Sequence, residues 1–158
     1  MKLLPFVPGA ALAAITLLPH PALARGEFCN VNAGQIKAIF AIAQPGGGYS
    51  VRGIGTVKPA RCRTLFAGDA SMGTVYVADW PAGEALPPAR GTGGSLELCL
   101  NKDALMQQNF GVDNLQGGGR CLSDEIPVAF AAAAVGKVGD WAIVANGSGI
   151  RVGTFGRR

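Results

Sequence analysis

The sequence predicts a small, mainly β domain: a disulfide-stapled β-sandwich or barrel-like fold with one short helix. Three observations predict it. Glycine supplies 24 of the 158 residues and proline 10, punctuation that favours short strands joined by turns. About eight apolar or alternating segments of strand length recur between those turns. All 4 cysteines lie after residue 24, and an even count in a short exported chain implies a disulfide framework.

Residues 1–24 read as a cleavable signal peptide. Lys2 gives a basic start, residues 10–18 are uncharged and mostly apolar, and Pro19 and Pro21 end any helix. Ala22-Leu23-Ala24 is an A-x-A cleavage site, with Arg25 as the first mature residue. The apolar run falls short of the roughly 20 residues of a spanning helix. No cysteine stands at the cut, because Cys29 comes five residues after Ala24, so a lipid-anchored form is not expected. Residues 126–135 (IPVAFAAAAV) are the next most apolar run; their length fits a buried strand or core helix. The expectation is a periplasmic or secreted bacterial protein with no stable membrane span after cleavage.

Residues 25–158 then form a single β-rich domain. A first short strand falls at Phe28-Cys29-Asn30, followed by turn residues 31–34. Residues 35–44 (QIKAIFAIAQ) place Ile36, Ala38, Phe40 and Ile42 on one face and Ile39, Ala41 and Ala43 on the other. Both faces are apolar, as in a central strand covered on both sides, although a helix fits these residues almost as well. Gly46-Gly47-Gly48 makes a hairpin-type loop, residues 49–52 alternate, and Gly53 and Gly55 mark a bulge or a close backbone approach. Strands follow at residues 62–66 and 74–80, the second with Val75 and Val77 opposite Tyr76 and Ala78. Residues 95–100 alternate again, and residues 101–109 carry the one helix signal, capped by Asn101. Residues 141–145 and 150–155 flank Asn146-Gly147-Ser148-Gly149 as a terminal hairpin, within a C-terminal extension spanning 136–158.

Cys29, Cys62, Cys99 and Cys121 allow three pairings, and spacing alone does not choose among them. The two shortest loops come from Cys29–Cys62 with Cys99–Cys121; the alternative is Cys29–Cys99 with Cys62–Cys121. No C-x-x-C occurs, and the one histidine, His20, leaves with the leader. Neither a metal site nor a cofactor is expected.

The order of these pieces carries a resemblance. It runs through Phe28-Cys29-Asn30, Tyr49-Ser50-Val51-Arg52-Gly53, Lys58-Pro59-Ala60-Arg61-Cys62, Val75-Tyr76-Val77-Ala78, Leu98-Cys99-Leu100 and Cys121. Over residues 28–130 the chain resembles the bacterial exported proteins grouped as domain of unknown function 1036. Two positions depart from that pattern: Ile54 stands where the family has an aromatic, and Ala60-Arg61 replaces a glycine-containing turn. The resemblance implies an exported disulfide domain and transfers no site residues.

No nucleophile motif is present, and without a mature histidine no serine or cysteine has the usual base. No catalytic residues are therefore assigned. The Gly-rich stretches lack the continuation of a phosphate loop or dinucleotide fingerprint. A net charge of +4, with scattered basic residues, lacks the dense basic stripe of a nucleic-acid binder. The expected function is a non-catalytic envelope binding module for a protein, glycan or polymer. The alternatives are a structural or accessory subunit of a larger envelope assembly and, third, a carboxylate-dependent hydrolase. The expected binding loop is residues 79–94 (DWPAGEALPPARGTGG), with Trp80 at its root and Arg90 near its far end. The competing reading of Trp80 is a core residue packed beneath that loop.

Overall fold

The computed structural model describes residues 25–67, 74–87, 95–107, 109–134, 141–146 and 149–154. Residues 1–24, expected to be a signal peptide, and Arg90 lie outside the described residues. The chain runs β1 (Arg25–Asn30), β2 (Ile36–Ala43), β3 (Tyr49–Val57), β4 (Arg61–Ala67), β5 (Thr74–Pro81), β6 (Leu96–Asn101), α1 (Lys102–Met106), β7 (Gly111–Leu115), β8 (Glu125–Ala134), β9 (Trp141–Asn146) and β10 (Gly149–Thr154). The strands form two sheets. One has six antiparallel strands in the order β6-β8-β5-β2-β3-β7, and the other has four in the order β10-β9-β1-β4. An isolated bridge between Leu98 and Gly117 draws the two edges of the larger sheet together, so that it nearly closes into a barrel. Full closure removes the unpaired edges that an open sheet exposes; here the bridge covers a single residue pair between the two edges.

The two apolar faces of β2 explain the layering. Ile39 and Ala41 face the barrel interior, where Val51, Ala78, Leu98, Val128 and Phe130 meet them. Ile36, Ala38 and Phe40 face outward, against Phe28, Ile143 and Ala145 of the smaller sheet. β5 divides in the same way, with Val75 and Val77 outward and Ala78 and Trp80 inward. The period-two reading of both strands therefore holds, and residues 35–44 are a strand.

Three glycines build the β2–β3 hairpin. Gly46, Gly47 and Gly48 all have positive φ, at 97°, 99° and 78°, a run that side-chain-bearing residues resist. The loop closes through Gln44 N–H to the Gly48 carbonyl at 3.0 Å. Further along the same pair, Ala38 faces Gly55 and Ile39 faces Gly53, which leaves Ile54 as the extra residue of a bulge. Gly55 takes φ 76° there, and Ile54 turns to the outer core.

The terminal hairpin is built into the smaller sheet: β9 pairs parallel with β1, and β10 pairs antiparallel with β9. The helix is shorter than the signal over residues 101–109. Asn101 caps it as expected, its Oδ1 accepting from Asp103 N at 2.9 Å and Ala104 N at 3.3 Å. β7 was not expected from the sequence; it joins the barrel by pairing with β3.

All four cysteines are paired, Cys29 with Cys62 and Cys99 with Cys121. The first bridge joins directly opposed residues of β1 and β4, with Cα atoms 4.0 Å apart. The second ties β6 to the segment after β7. Paired cysteines are consistent with an extracellular or periplasmic location. Among the described residues no helix is long and apolar enough to cross a membrane.

Candidate functional site

The barrel has two differently finished ends. At one, Tyr49 and Tyr76 meet edge to face with ring centroids 5.7 Å apart, a favoured aromatic geometry. At the other, Trp80 and Lys37 are direct cross-strand partners on β5 and β2. Directly opposed side chains share a face of the sheet, so the indole and the ammonium stem stand side by side at this mouth.

A groove opens there. Lys37, Ala38 and Ile39 of β2 form one wall with Trp80, and Leu105, Met106 and Gln107 from the helix end form another, with Phe110 beside them. Gly53, Gly55 and Thr56 of the bulged strand complete it. It is small, with a cavity volume of about 10 Å³, room for about one water. The bulge matters because glycines at positions 53 and 55 contribute backbone without side chains. Gly53 is itself pinned by its N–H to the Phe110 carbonyl at 2.9 Å. Leu105 is buried and Met106 is 54% exposed, so the helix presents one residue to the core and the next to the rim.

Trp80 is only 2% exposed and belongs to the barrel core. Its Nε1 is buried and has no hydrogen-bond partner among the described residues. Leaving a buried donor unpaired costs about 1–3 kcal/mol. Lys37 is held by the chain that follows β5, its Nζ donating to the Glu84 carbonyl at 3.3 Å. That chain is itself anchored, Ala82 N–H donating to the Gln35 carbonyl at 3.0 Å. Asp79, next to Trp80, points to the other face, and burial raises its carboxyl pKa.

The sequence-derived site is thus partly placed. Trp80 packs in the core, as the competing reading held, and at the same time walls a groove. Arg90 lies outside the described residues, so no geometry joins the two. Lys37, Gly53, Gly55, Leu105 and Phe110 were not singled out as site residues. The available signals were a lysine interrupting an apolar strand and the Gly-x-Gly bulge.

Two groupings could be considered for metal: Glu27 with Cys29 and Cys62, and Cys99 with Cys121 and Glu125. In each, both sulfurs are committed to a disulfide, whereas the thiolate is the form that binds metal.

The fold and groove define a disulfide-bonded β-barrel domain with a small, largely apolar recess at one mouth. Comparison with known protein families, with curated proteins and with solved structures found no match.

Proposed function

We propose that this protein is an exported, non-catalytic binding module of a bacterial envelope, periplasmic or secreted, that takes its ligand at the barrel mouth beside Trp80. One observation carries the reading: Trp80, whose buried indole N–H has no acceptor among the described residues, is one of the residues that line an apolar recess. Small-molecule sites combine such apolar walls with a few placed polar groups, and a buried donor is normally paired. Export is supported by the A-x-A leader and by the two disulfides. Kinship with domain of unknown function 1036 is part of the proposal and rests on the cysteine order and strand spacing.

A second reading, an accessory subunit of a larger assembly, draws on the smaller sheet. Its outer strands β4 and β10 each have one strand neighbour in the sheet, and such edges accept an added strand. One experiment separates the two. The isotopically labelled, disulfide-intact protein is titrated with low-molecular-weight and protein fractions of an envelope extract, followed by NMR. Saturable shifts at the Trp80 indole and the Gly53, Gly55 and Leu105 amides support the groove. Shifts confined to β4 or β10 support the assembly reading and overturn the groove.

A further inference from the structure

We infer that the free edge of β4 takes an added antiparallel strand from an acidic partner, with two carboxylates on one face of that strand seated against Arg61 and Arg63. This does not use the recess; it deepens the accessory-subunit reading and rests on it. β4 ends the smaller sheet, and among the described residues its one strand neighbour is β1. Arg61, Cys62 and Arg63 are all exposed. Cys62 stands directly opposite Cys29, with Cα atoms 4.0 Å apart. In an antiparallel ladder such closeness belongs to the pair that exchanges no backbone hydrogen bonds, at about 4.5 Å against about 5.5 Å for the bonded pair. The Cys62 N–H and carbonyl therefore point away from β1, a donor and an acceptor on the open side that an incoming strand can pair.

The edge is held in place before any partner arrives. The Cys29–Cys62 bridge fixes β4 at that same exposed residue. Just before it the turn closes, Arg61 N–H donating to the Lys58 carbonyl at 3.2 Å and Ala60 N–H to the Asn30 carbonyl at 2.8 Å. A pre-ordered edge lowers the ordering cost of binding.

Charge selects the occupant. Residues two apart on a strand share a face, so Arg61 and Arg63 flank Cys62 on one side of the sheet. Among the described residues neither has a carboxylate partner; the arginine that does is Arg52, paired with Asp113. Lys58, exposed in the turn, adds a third cation. A second copy of the chain is disfavoured: antiparallel pairing about Cys62 sets Arg61 opposite Arg63, and directly opposed like charges destabilise. A strand with a β-branched residue opposite Cys62 and an acidic residue on either side of it gains two cross-strand ion pairs instead. The partner is thus an extended segment whose carboxylates alternate with apolar residues.

The test uses three acetylated and amidated heptapeptides that differ in two side chains: TVEVEVT, TVQVQVT and TVKVKVT. Each is titrated at low salt into the labelled, disulfide-intact protein, followed by NMR. TVEVEVT is expected to bind saturably, with its largest amide shifts at Cys62 and Arg63. TVQVQVT is expected to bind about tenfold more weakly, the scale of two cross-strand ion pairs acting together, and TVKVKVT not at all. Added salt should bring TVEVEVT towards TVQVQVT, because exposed charges are screened. Arg61→Gln/Arg63→Gln alters two exposed side chains, so it should fold and should bind TVEVEVT and TVQVQVT equally.

Backbone pairing has its own probe. N-methylation of the central Val of TVEVEVT, whose N–H meets the Cys62 carbonyl, should abolish binding, whereas N-methylation of either Glu, whose N–H faces away from β4, should leave it nearly unchanged. Equal binding of all three peptides, or preference for TVKVKVT, overturns the acidic partner. Preference for TVEVEVT that survives methylation of the central Val overturns strand addition, because ion pairing alone behaves in that way. Shifts at β4 with the protein fraction of an envelope extract, but with none of the peptides, overturn the acidic strand and leave the accessory-subunit reading standing. Absence of β4 shifts with both peptides and extract removes β4 from that reading as well.

Discussion

Asn30 donates its side-chain amide to the Val57 carbonyl, 2.9 Å away, and so ties the end of β1 in one sheet to the end of β3 in the other. The same amide donates to the Gly34 carbonyl at 2.9 Å, and Oδ1 accepts from Asn32 N–H at 2.9 Å. Its backbone carbonyl accepts from Ala60 N–H at 2.8 Å, at the turn where the chain leaves the barrel for β4. Asn30 is fully buried, and its side chain satisfies three backbone groups that strand pairing leaves over. Asn30→Ala should therefore lower stability by about 2–4 kcal/mol, since buried polar groups lose their partners together. Denaturant unfolding checks this, with a lower midpoint and an unchanged slope expected.

Much of the fold could be read from the sequence wherever side-chain period and burial agree. β2 and β5 were legible because apolar residues at both parities require cover on both faces, and the structure supplies an interior and a second sheet. The Gly53 and Gly55 bulge was legible because glycine within a strand signals departure from the ladder. β7 was not legible: Gly111-Val112-Asp113-Asn114-Leu115 has neither alternation nor β-branched density, and Asn114 takes φ 61°. That strand is held by long-range groups instead, Arg52 and Gln44, whose proximity no local pattern encodes. The Leu98–Gly117 bridge that nearly closes the barrel is likewise a long-range contact and was equally hidden. The groove combines residues 37, 53, 80 and 105–110, so only its parts were visible.

The two disulfides should both be structural. Cys29–Cys62 spans a sequence separation of 33 and Cys99–Cys121 one of 22. In the chain-entropy account, loops of these lengths contribute about 3–4 kcal/mol each. The paired substitutions Cys29→Ala/Cys62→Ala and Cys99→Ala/Cys121→Ala should each lose an amount of that order. Thiol labelling of the denatured, unreduced protein should find no reactive cysteine; stoichiometric labelling at any of the four would refute the pairing.

Two aspartates should pull acid stability in opposite directions. The Ser50 hydroxyl, 2.6 Å from Asp113 Oδ1, and then the Arg52 guanidinium at 2.7 Å hold the Asp113 carboxyl below its ordinary value of 3.8. A folded pKa below the unfolded one stabilises above the unfolded value, and that stability fades as pH falls through the folded value. Asp79 has the reverse sign: burial raises its carboxyl above 3.8. Ionising it costs stability as pH rises from the unfolded value through the folded one. Asp79→Asn should therefore raise the melting temperature at neutral pH, with the gain vanishing below about pH 3. Asp113→Asn should lower the neutral melting temperature and flatten the loss on acidification. Melting curves from pH 2 to 7 on the two variants give both signs.

Gly111 should report the same clamp from the opposite side. Arg52 lies across Gly111, where an added Cβ would meet its Cδ at 3.0 Å and its Nε and Nη1 at 3.1 Å. From that position Arg52 Nη1 donates to the Val51 carbonyl at 2.9 Å and the Val112 carbonyl at 3.2 Å, while Nη2 reaches Asp113 at 2.7 Å. Arg52 is flexible enough to move aside, so Gly111→Ala should fold but displace the guanidinium from β7. The expected cost is about 1 kcal/mol, the scale of the hydrogen bonds given up. The Asp113 carboxyl should titrate closer to its ordinary value in Gly111→Ala, as followed by NMR. Combining Gly111→Ala with Asp113→Asn should cost less than the separate losses together, because both remove the Arg52–Asp113 contact. Gly34→Ala supplies the control, since nothing lies within 4 Å of a Cβ there. Full additivity, or an unshifted Asp113 in Gly111→Ala, would show that Arg52 does not depend on the bare glycine for its place.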